Sequence, residues 1–238
     1  MIPKKIHYCW FGGNPLPRDV EACIASWKKH CPDYEIVRWD ESSYDVTKHP
    51  FMKAAYEAKC WAFVSDYARL DVIYQNGGIY LDTDVELLKS LDPVLENACW
   101  FAMQQENSVV ATGLGFGGEA GHPALKAMLE QYDRVEFDLE NREAIACPYL
   151  NTQAMTEQGY VQEDREQVVA GARIYPARFF DPLATGDTRD LTCEDTVSVH
   201  HYSASWTGTG QRLKRKIARL IGEKWIVRLK GVLRWKKS

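Results

Sequence analysis

Apolar positions along the first hundred residues switch between a period of two and a period near 3.6. Residues 6–10 form an apolar run that predicts a strand, closed by a Gly-Gly-Asn-Pro turn. Residues 18–30 carry apolar side chains at helical spacing, and a second strand is predicted at 34–39. Two helical stretches, 51–59 and 61–75, lead to Asn76-Gly77-Gly78, which reads as a helix stop. The strand that follows, Gly78-Ile79-Tyr80-Leu81, runs into two acids one residue apart, Asp82 and Asp84.

This β-α-β-α-α-β order predicts an α/β protein with a Rossmann-like mixed sheet flanked by helices. Ligands of such sheets gather at the carboxyl ends of strands, which is where the two acids fall. Further strands are expected at 99–104 and 109–112, then a flexible glycine loop at 113–118 and a helix at 123–132. The loop has neither the Gly-Lys-Ser/Thr ending of a P-loop nor the spacing of a dinucleotide turn. Short strands at 173–175 and 197–202 lie among turn-forming residues, and no internal repeat is present.

At 238 residues and 45% hydrophobic content, the chain can bury the core of one domain, expected over residues 1–210. No apolar run approaches the roughly 20 residues that span a bilayer, and the N-terminus lacks the pattern of a secretory signal. A cytoplasmic protein is expected. Seven cysteines without a CxxC pair argue against a disulfide framework or a zinc knuckle.

The net charge of −4 conceals an asymmetry: residues 211–238 hold eleven Lys or Arg and one acid, leaving 18 bases and 32 acids in the rest. Ile217, Leu220, Ile221, Trp225, Leu229, Val232 and Leu233 recur at helical spacing among these bases. The tail therefore predicts a basic amphipathic helix that lies either on an anionic membrane leaflet or on the acidic body. Each base near an anionic surface adds about 1 kcal/mol. Nucleic acid is not an expected partner, because the acidic body would repel phosphate.

In a strand, residues i and i+2 share a face, so Asp82 and Asp84 would present two hard oxygen donors side by side. Such donors suit Mg2+ or Mn2+, which take one or two protein carboxylates and fill the remaining positions with substrate phosphate and water. Asp66 and Arg69 stand three apart on the preceding helix, either as an intrahelical ion pair or as a hydroxyl acceptor and a phosphate fork. Trp10 ends the first strand, as a core residue or as a stacking platform worth about 1–3 kcal/mol for a base. In Val199-His-His-Tyr-Ser-Ala-Ser-Trp206, adjacent histidines on a strand face opposite ways, so at most one of His200 and His201 can reach the acids.

The stretches IPKKIHYCWFGG, SDYARLDVIYQNGGIYLDTDVE and HHYSASW together resemble the DXD-containing sugar transferases of capsule, exopolysaccharide and mannan synthesis. More distantly, they are similar to the catalytic domains of large glucosylating toxins. The resemblance runs from Pro3 to Trp206. It implies a GT-A type fold, a nucleotide-sugar donor, UDP before GDP, a saccharide or lipid-linked saccharide acceptor, and retention of anomeric configuration.

Carried over residue by residue, it implies base stacking by Trp10, donor sugar and phosphate contacts by Asp66 and Arg69, and hydroxyl or metal contacts by Asp82. It also implies Asp84 as a direct metal ligand, His201 as a third ligand, Ser205 and Trp206 near the diphosphate, and Asn151 at the donor sugar. A lipid-linked acceptor would place the protein peripherally on the inner face of the cell membrane through residues 211–238. Two rival classes remain. A glycoside hydrolase needs carboxyls about 5–9.5 Å apart, and a non-catalytic sugar-binding module would need neither Arg69 nor a nucleotide platform.

Overall fold

The structure, a computed structural model, describes residues 1–184 and 189–203. Strand β1 (Lys5–Cys9) leads into helix α1 (Arg18–His30), strand β2 (Glu35–Trp39), and helices α2 (Pro50–Glu57) and α3 (Trp61–Asn76). Strands β3 (Gly78–Tyr80), β4 (Val85–Leu87), β5 (Cys99–Ala102) and β6 (Phe116–Gly118) precede helices α4 (Pro123–Tyr132) and α5 (Cys147–Thr156). Strands β7 (Gln167–Val169) and β8 (Ala172–Tyr175), the short helix α6 (Ala177–Phe180) and strand β9 (Ser198–His200) complete the described elements.

Local chemistry accounts for the helices. Val20, Cys23, Ile24 and Trp27 form the buried stripe of α1, with Asp19 and Glu21 in its first turn and Lys28, Lys29 and His30 in its last. Pro50 starts α2, capped by the His49 ring, which accepts from the Phe51 N–H at 3.2 Å. Helix α3 is buried from Asp66 to Ile73 and ends at Gly77, whose φ of +66° supplies the left-handed stop read in the sequence. Gly78 follows at φ +108°, and a β-carbon there would lie 2.7 Å from the His7 ring.

The main sheet runs in the order β2-β1-β3-β6-β5-β8-β7. β1 pairs in parallel with both β2 and β3, β5 pairs in parallel with β8, and β6 runs antiparallel to β3 and β5. Alternating side chains feed two cores. Tyr80, Cys99 and Phe101 join a cluster under α2, α3, α4 and α5, while Ile79, Leu81 and Trp100 join a second with α1 and α6. A separate antiparallel pair, β4 with β9, sets Val85 opposite His200.

Three expectations change. Residues 116–118 are not loop but the central antiparallel strand, although Phe-Gly-Gly has poor strand propensity. The reason is tertiary: a β-carbon on Gly117 would meet the Trp100 indole at 2.7 Å, so only glycine admits that ring, which stacks on Phe180 at 4.8 Å. The stretch 109–112 contributes one bridge, Val110 to Met103, rather than a strand. The strand before the acids stops at Tyr80, and Asp82 and Asp84 sit on a turn closed by Val85 N–H donating to the Asp82 carbonyl at 3.0 Å.

All seven cysteines are free thiols, five of them buried. Among the described residues, no helix is long and apolar enough to cross a membrane. The predicted tail helix at 211–238, together with Ser205 and Trp206, lies outside the described residues.

Candidate active site

The carboxyl end of β3 gathers groups from four parts of the chain. Helix α3 brings Asp66 and Arg69 on one buried face, and the Arg69 guanidinium lies 2.7 Å from Asp66 Oδ1. The same guanidinium lies 3.4 Å from Asp82 Oδ1, and Arg69 Nε donates to the Ser65 carbonyl at 3.1 Å. It also stands over the Tyr80 ring at 5.2 Å, while the Tyr80 hydroxyl donates to Asp82 Oδ1 at 3.0 Å. The intrahelical pair and the contact beyond the helix thus coexist: Arg69 is the common partner of Asp66 and Asp82.

Asp84, buried, is held from the C-terminal side. His200 Nε2 lies 3.0 Å from Asp84 Oδ1, and the Ser203 N–H donates to Asp84 Oδ2 at 2.7 Å. The His201 N–H donates to the Asp84 carbonyl at 2.9 Å. The histidine expected at the acids was His201; the structure puts His200 there instead. The cause is the β4–β9 register: the strand alternation that brings His200 to Asp84 turns the His201 ring to Glu86 Oε2, 2.9 Å away.

Burial dominates the electrostatics. It pushes the Asp66 carboxyl up to about 6 despite Arg69, and it raises Asp82, where the negative charge of Asp84 adds to the effect. Burial acts the same way on Asp84, but the His200 imidazole and the Ser203 N–H outweigh it and hold this carboxyl below its ordinary value. Burial opposes charge on His200, yet Asp84, Asp82 and Asp181 together keep its imidazole above the usual histidine value. The two acids of one motif are therefore driven in opposite directions by their neighbours.

The floor joins Thr112, Gly113 and Cys147, which had no expected role, to Asn151, which the resemblance set at the donor sugar. A β-carbon on Gly113 would lie 2.6 Å from Asp82 Oδ2 and 3.2 Å from Arg69, so this glycine lets the backbone run against the acid. Beneath it, Thr112 Oγ1 and Cys147 Sγ lie 3.0 Å apart, and Asn151 Nδ2 donates to the threonine at 3.0 Å and to the thiol at 3.1 Å. Asn151 is fully buried, and its Oδ1 has no hydrogen-bond partner among the described residues. Besides the resemblance that pointed to Asn151, the sequence signal for this floor was the dense glycine spacing at 113–118.

Trp10 is partly buried just beyond β1, where it packs against the second core, and its indole N–H donates to the Asn14 carbonyl at 2.7 Å. The neighbouring turn is shaped around a second indole, because a β-carbon on Gly12 would meet Trp61 at 2.7 Å.

One ligand atom each from Asp82, Asp84 and His200 lie within 4.8 Å of one another, the one grouping of this kind among the described residues. Two carboxylates on one small turn and an imidazole brought to them by β9 fit a divalent cation such as Mn2+ or Mg2+.

Residues 17–101 match the family model described as a glycosyltransferase sugar-binding region containing DXD motif. Inositol phosphoceramide mannosyltransferase 3 of Schizosaccharomyces pombe is 30% identical over 159 residues, 65% of this chain and 42% of that protein. The match thus spans less than half the length of that relative. An uncharacterized glycosyltransferase, L373, of Acanthamoeba polyphaga mimivirus is 22% identical over 216 residues, 87% of this chain and 84% of that one. The PaToxG glycosyltransferase structure superposes with a TM-score of 0.51 at 18% identity, over 66% of this chain and 69% of that one. With the sheet order, the turn of acids and the match over 17–101 in agreement, residues 17–101 carry the DXD-containing sugar-binding region of glycosyltransferases, and the chain has the mixed α/β fold of the GT-A type.

Proposed function

We propose that this protein transfers a hexosyl group, with retention, from a nucleotide-sugar, foremost a UDP-sugar, to a saccharide or lipid-linked saccharide acceptor, in the presence of Mn2+ or Mg2+. The observation that carries the reading is the convergence of Asp82, Asp84 and His200 at a strand end, with Arg69 buried behind them.

Asp82, Asp84 and His200 would hold the cation between the protein and the donor diphosphate. A divalent cation there supplies Lewis-acid neutralisation of the charge that grows on the leaving diphosphate. Arg69 keeps Asp82 aimed and adds positive charge close to the same place. Asp66 and Asp82 are the carboxylates available to donor hydroxyls, and Trp10 is the platform assigned to the base. Ser205 and Trp206 are assigned to the diphosphate. The buried Asn151 shapes the floor under the donor sugar through Thr112 and Cys147. The acceptor hydroxyl then bonds to the anomeric carbon on the face from which the diphosphate departs with the electron pair of the broken C–O bond, and the hydroxyl proton passes to that departing diphosphate.

The test is calorimetric titration of UDP with and without Mn2+, repeated on Asp84→Asn. Mn2+-dependent binding that the variant loses supports the reading; equal binding by both proteins defeats it. GDP forms a second arm, because the S. pombe relative is a mannosyltransferase. Binding of GDP alone would replace the UDP-sugar with GDP-mannose as donor, and binding of neither nucleotide would leave a sugar-binding module.

The eleven bases of residues 211–238 support a further part of the proposal, peripheral attachment to the cytoplasmic face of an anionic membrane. Flotation with anionic liposomes decides it: a full chain that stays in the soluble fraction removes the membrane from the account.

A further inference from the structure

The described C-terminal segment carries His200 and the Ser203 N–H to Asp84, yet β9 is only three residues long and pairs with β4 alone, outside the main sheet. Something must hold it in register. Upstream, Val197 N–H donates to the Phe179 carbonyl at 2.8 Å and Thr196 Oγ1 to the Arg178 carbonyl at 2.9 Å, both on α6. Downstream, the fastening is a side chain: Tyr202 donates its hydroxyl to Asp181 Oδ1 at 2.8 Å.

Asp181 sits just past α6 and is 1% exposed. Its other oxygen, Oδ2, accepts from the Gln105 N–H at 2.8 Å, in the loop that leaves β5 of the main sheet. Tyr202 adopts φ +48°, a left-handed conformation costly for an aromatic residue and kept only where the surroundings impose it. Its ring meets the His200 ring edge-on, with centroids 4.1 Å apart. His200 Nδ1, buried, has no hydrogen-bond partner among the described residues. Histidines that bind metals are ordinarily oriented through their second nitrogen; here the neighbouring phenol ring takes that place.

We infer that Asp181 is a positioning residue of the cation site, acting through Tyr202 to hold His200 and the Ser203 amide against Asp84. The inference rests on the metal reading for its purpose, though not for its geometry. The Asp181 carboxylate spends its hydrogen bonds on Gln105 and Tyr202, and so ties the loop after β5, the end of α6 and the C-terminal segment to one buried group.

The test uses Tyr202→Phe, Asp181→Ala and Asp181→Asn in the full chain. Tyr202→Phe removes the tie and keeps the ring. Asp181→Asn should preserve it, because the amide oxygen can accept from Gln105 while its NH2 donates to a phenol hydroxyl that turns round. In the metal-free protein, amide hydrogen exchange at residues 200–203 should quicken about tenfold in Tyr202→Phe and Asp181→Ala, while amides of β1 and β5 stay unchanged and Asp181→Asn resembles wild type. Calorimetry with Mn2+ alone should show a matching loss of about tenfold in affinity, the low end for residues that support metal ligands.

Unchanged exchange at 200–203 in Tyr202→Phe overturns the inference. So does acceleration spread equally over β1 and β5, which would make the contact a general structural one. If wild type binds no Mn2+, the metal reading fails, and the exchange data still decide the clamp.

Discussion

Gly113 presses its backbone so closely on Asp82 that a β-carbon there would stand 2.6 Å from the carboxylate oxygen. The carboxylate cannot simply step aside, since its other oxygen, Oδ1, accepts from the Tyr80 hydroxyl at 3.0 Å and lies 3.4 Å from the Arg69 guanidinium. A methyl group at position 113 is therefore expected to swing Asp82 off its bearings. Gly113→Ala should weaken Mn2+-dependent UDP binding at least about tenfold, with thermal unfolding lowered by no more than a typical point substitution, about 1 kcal/mol. Calorimetry and a melting curve on the same sample measure both. Full affinity would mean that the exact seat of Asp82 does not matter.

The two histidines offer a sharper comparison. His200→Ala removes the imidazole beside Asp84, whereas His201→Ala removes the one beside Glu86. Mn2+ affinity should fall about 10- to 100-fold in the first and stay within about threefold in the second. Manganese electron paramagnetic resonance, which counts free ion directly, reads the difference without any substrate. The reverse ranking would restore His201 as the ligand.

Arg69 is 4% exposed and serves two carboxylates, so its loss leaves the buried Asp66 and the partly buried Asp82 without their shared cation. Arg69→Met, similar in length but uncharged, should destabilise the fold by about 3–5 kcal/mol. Denaturant unfolding measures it. Arg69→Lys should recover part of the stability but not the two-sided contact, because an ammonium lacks the planar fork. A variant with lysine that matched wild type in both stability and UDP binding would show that only the charge matters.

His7 is buried on β1, where its ring accepts from the Trp39 indole N–H at 3.0 Å. Burial pushes its imidazole down to about 4. The unfolded chain, with an ordinary histidine near 6.5, takes up the proton more readily than the folded one. His7 therefore costs nothing above pH 6.5 and destabilises progressively as the pH falls toward 4, by up to about 3 kcal/mol. His7→Asn keeps an acceptor for the indole and lacks the titration. Unfolding free energies of the two proteins should converge with falling pH, by that amount, between pH 6.5 and 4; a constant gap would show that His7 is not held neutral.

Several elements were readable from residue order because their causes are local. The apolar stripe and charged ends of α1, the left-handed stop at Gly77 and the β-α-β-α-α-β order all act within a few residues, and the fold realises each of them. The acids, Asp66 and Arg69 were legible too, since helix spacing places the latter two on one face and the glycine pair delivers the chain to Asp82 and Asp84.

What separates His200 from His201 is the pairing of β9 with β4, a contact between residues more than a hundred positions apart that no local pattern encodes. The same is true of β6: Phe-Gly-Gly reads as a loop until the Trp100 indole occupies the space that side chains on Gly117 would need. The floor of Gly113, Thr112, Cys147 and Asn151, and the tie from Asp181 to Tyr202, likewise exist only once distant segments meet. Residue order thus settles which chemical groups this chain owns and which short elements carry them. Long-range pairing and close packing settle which of those groups touch, because a side chain's face and its neighbours are properties of the assembled sheet.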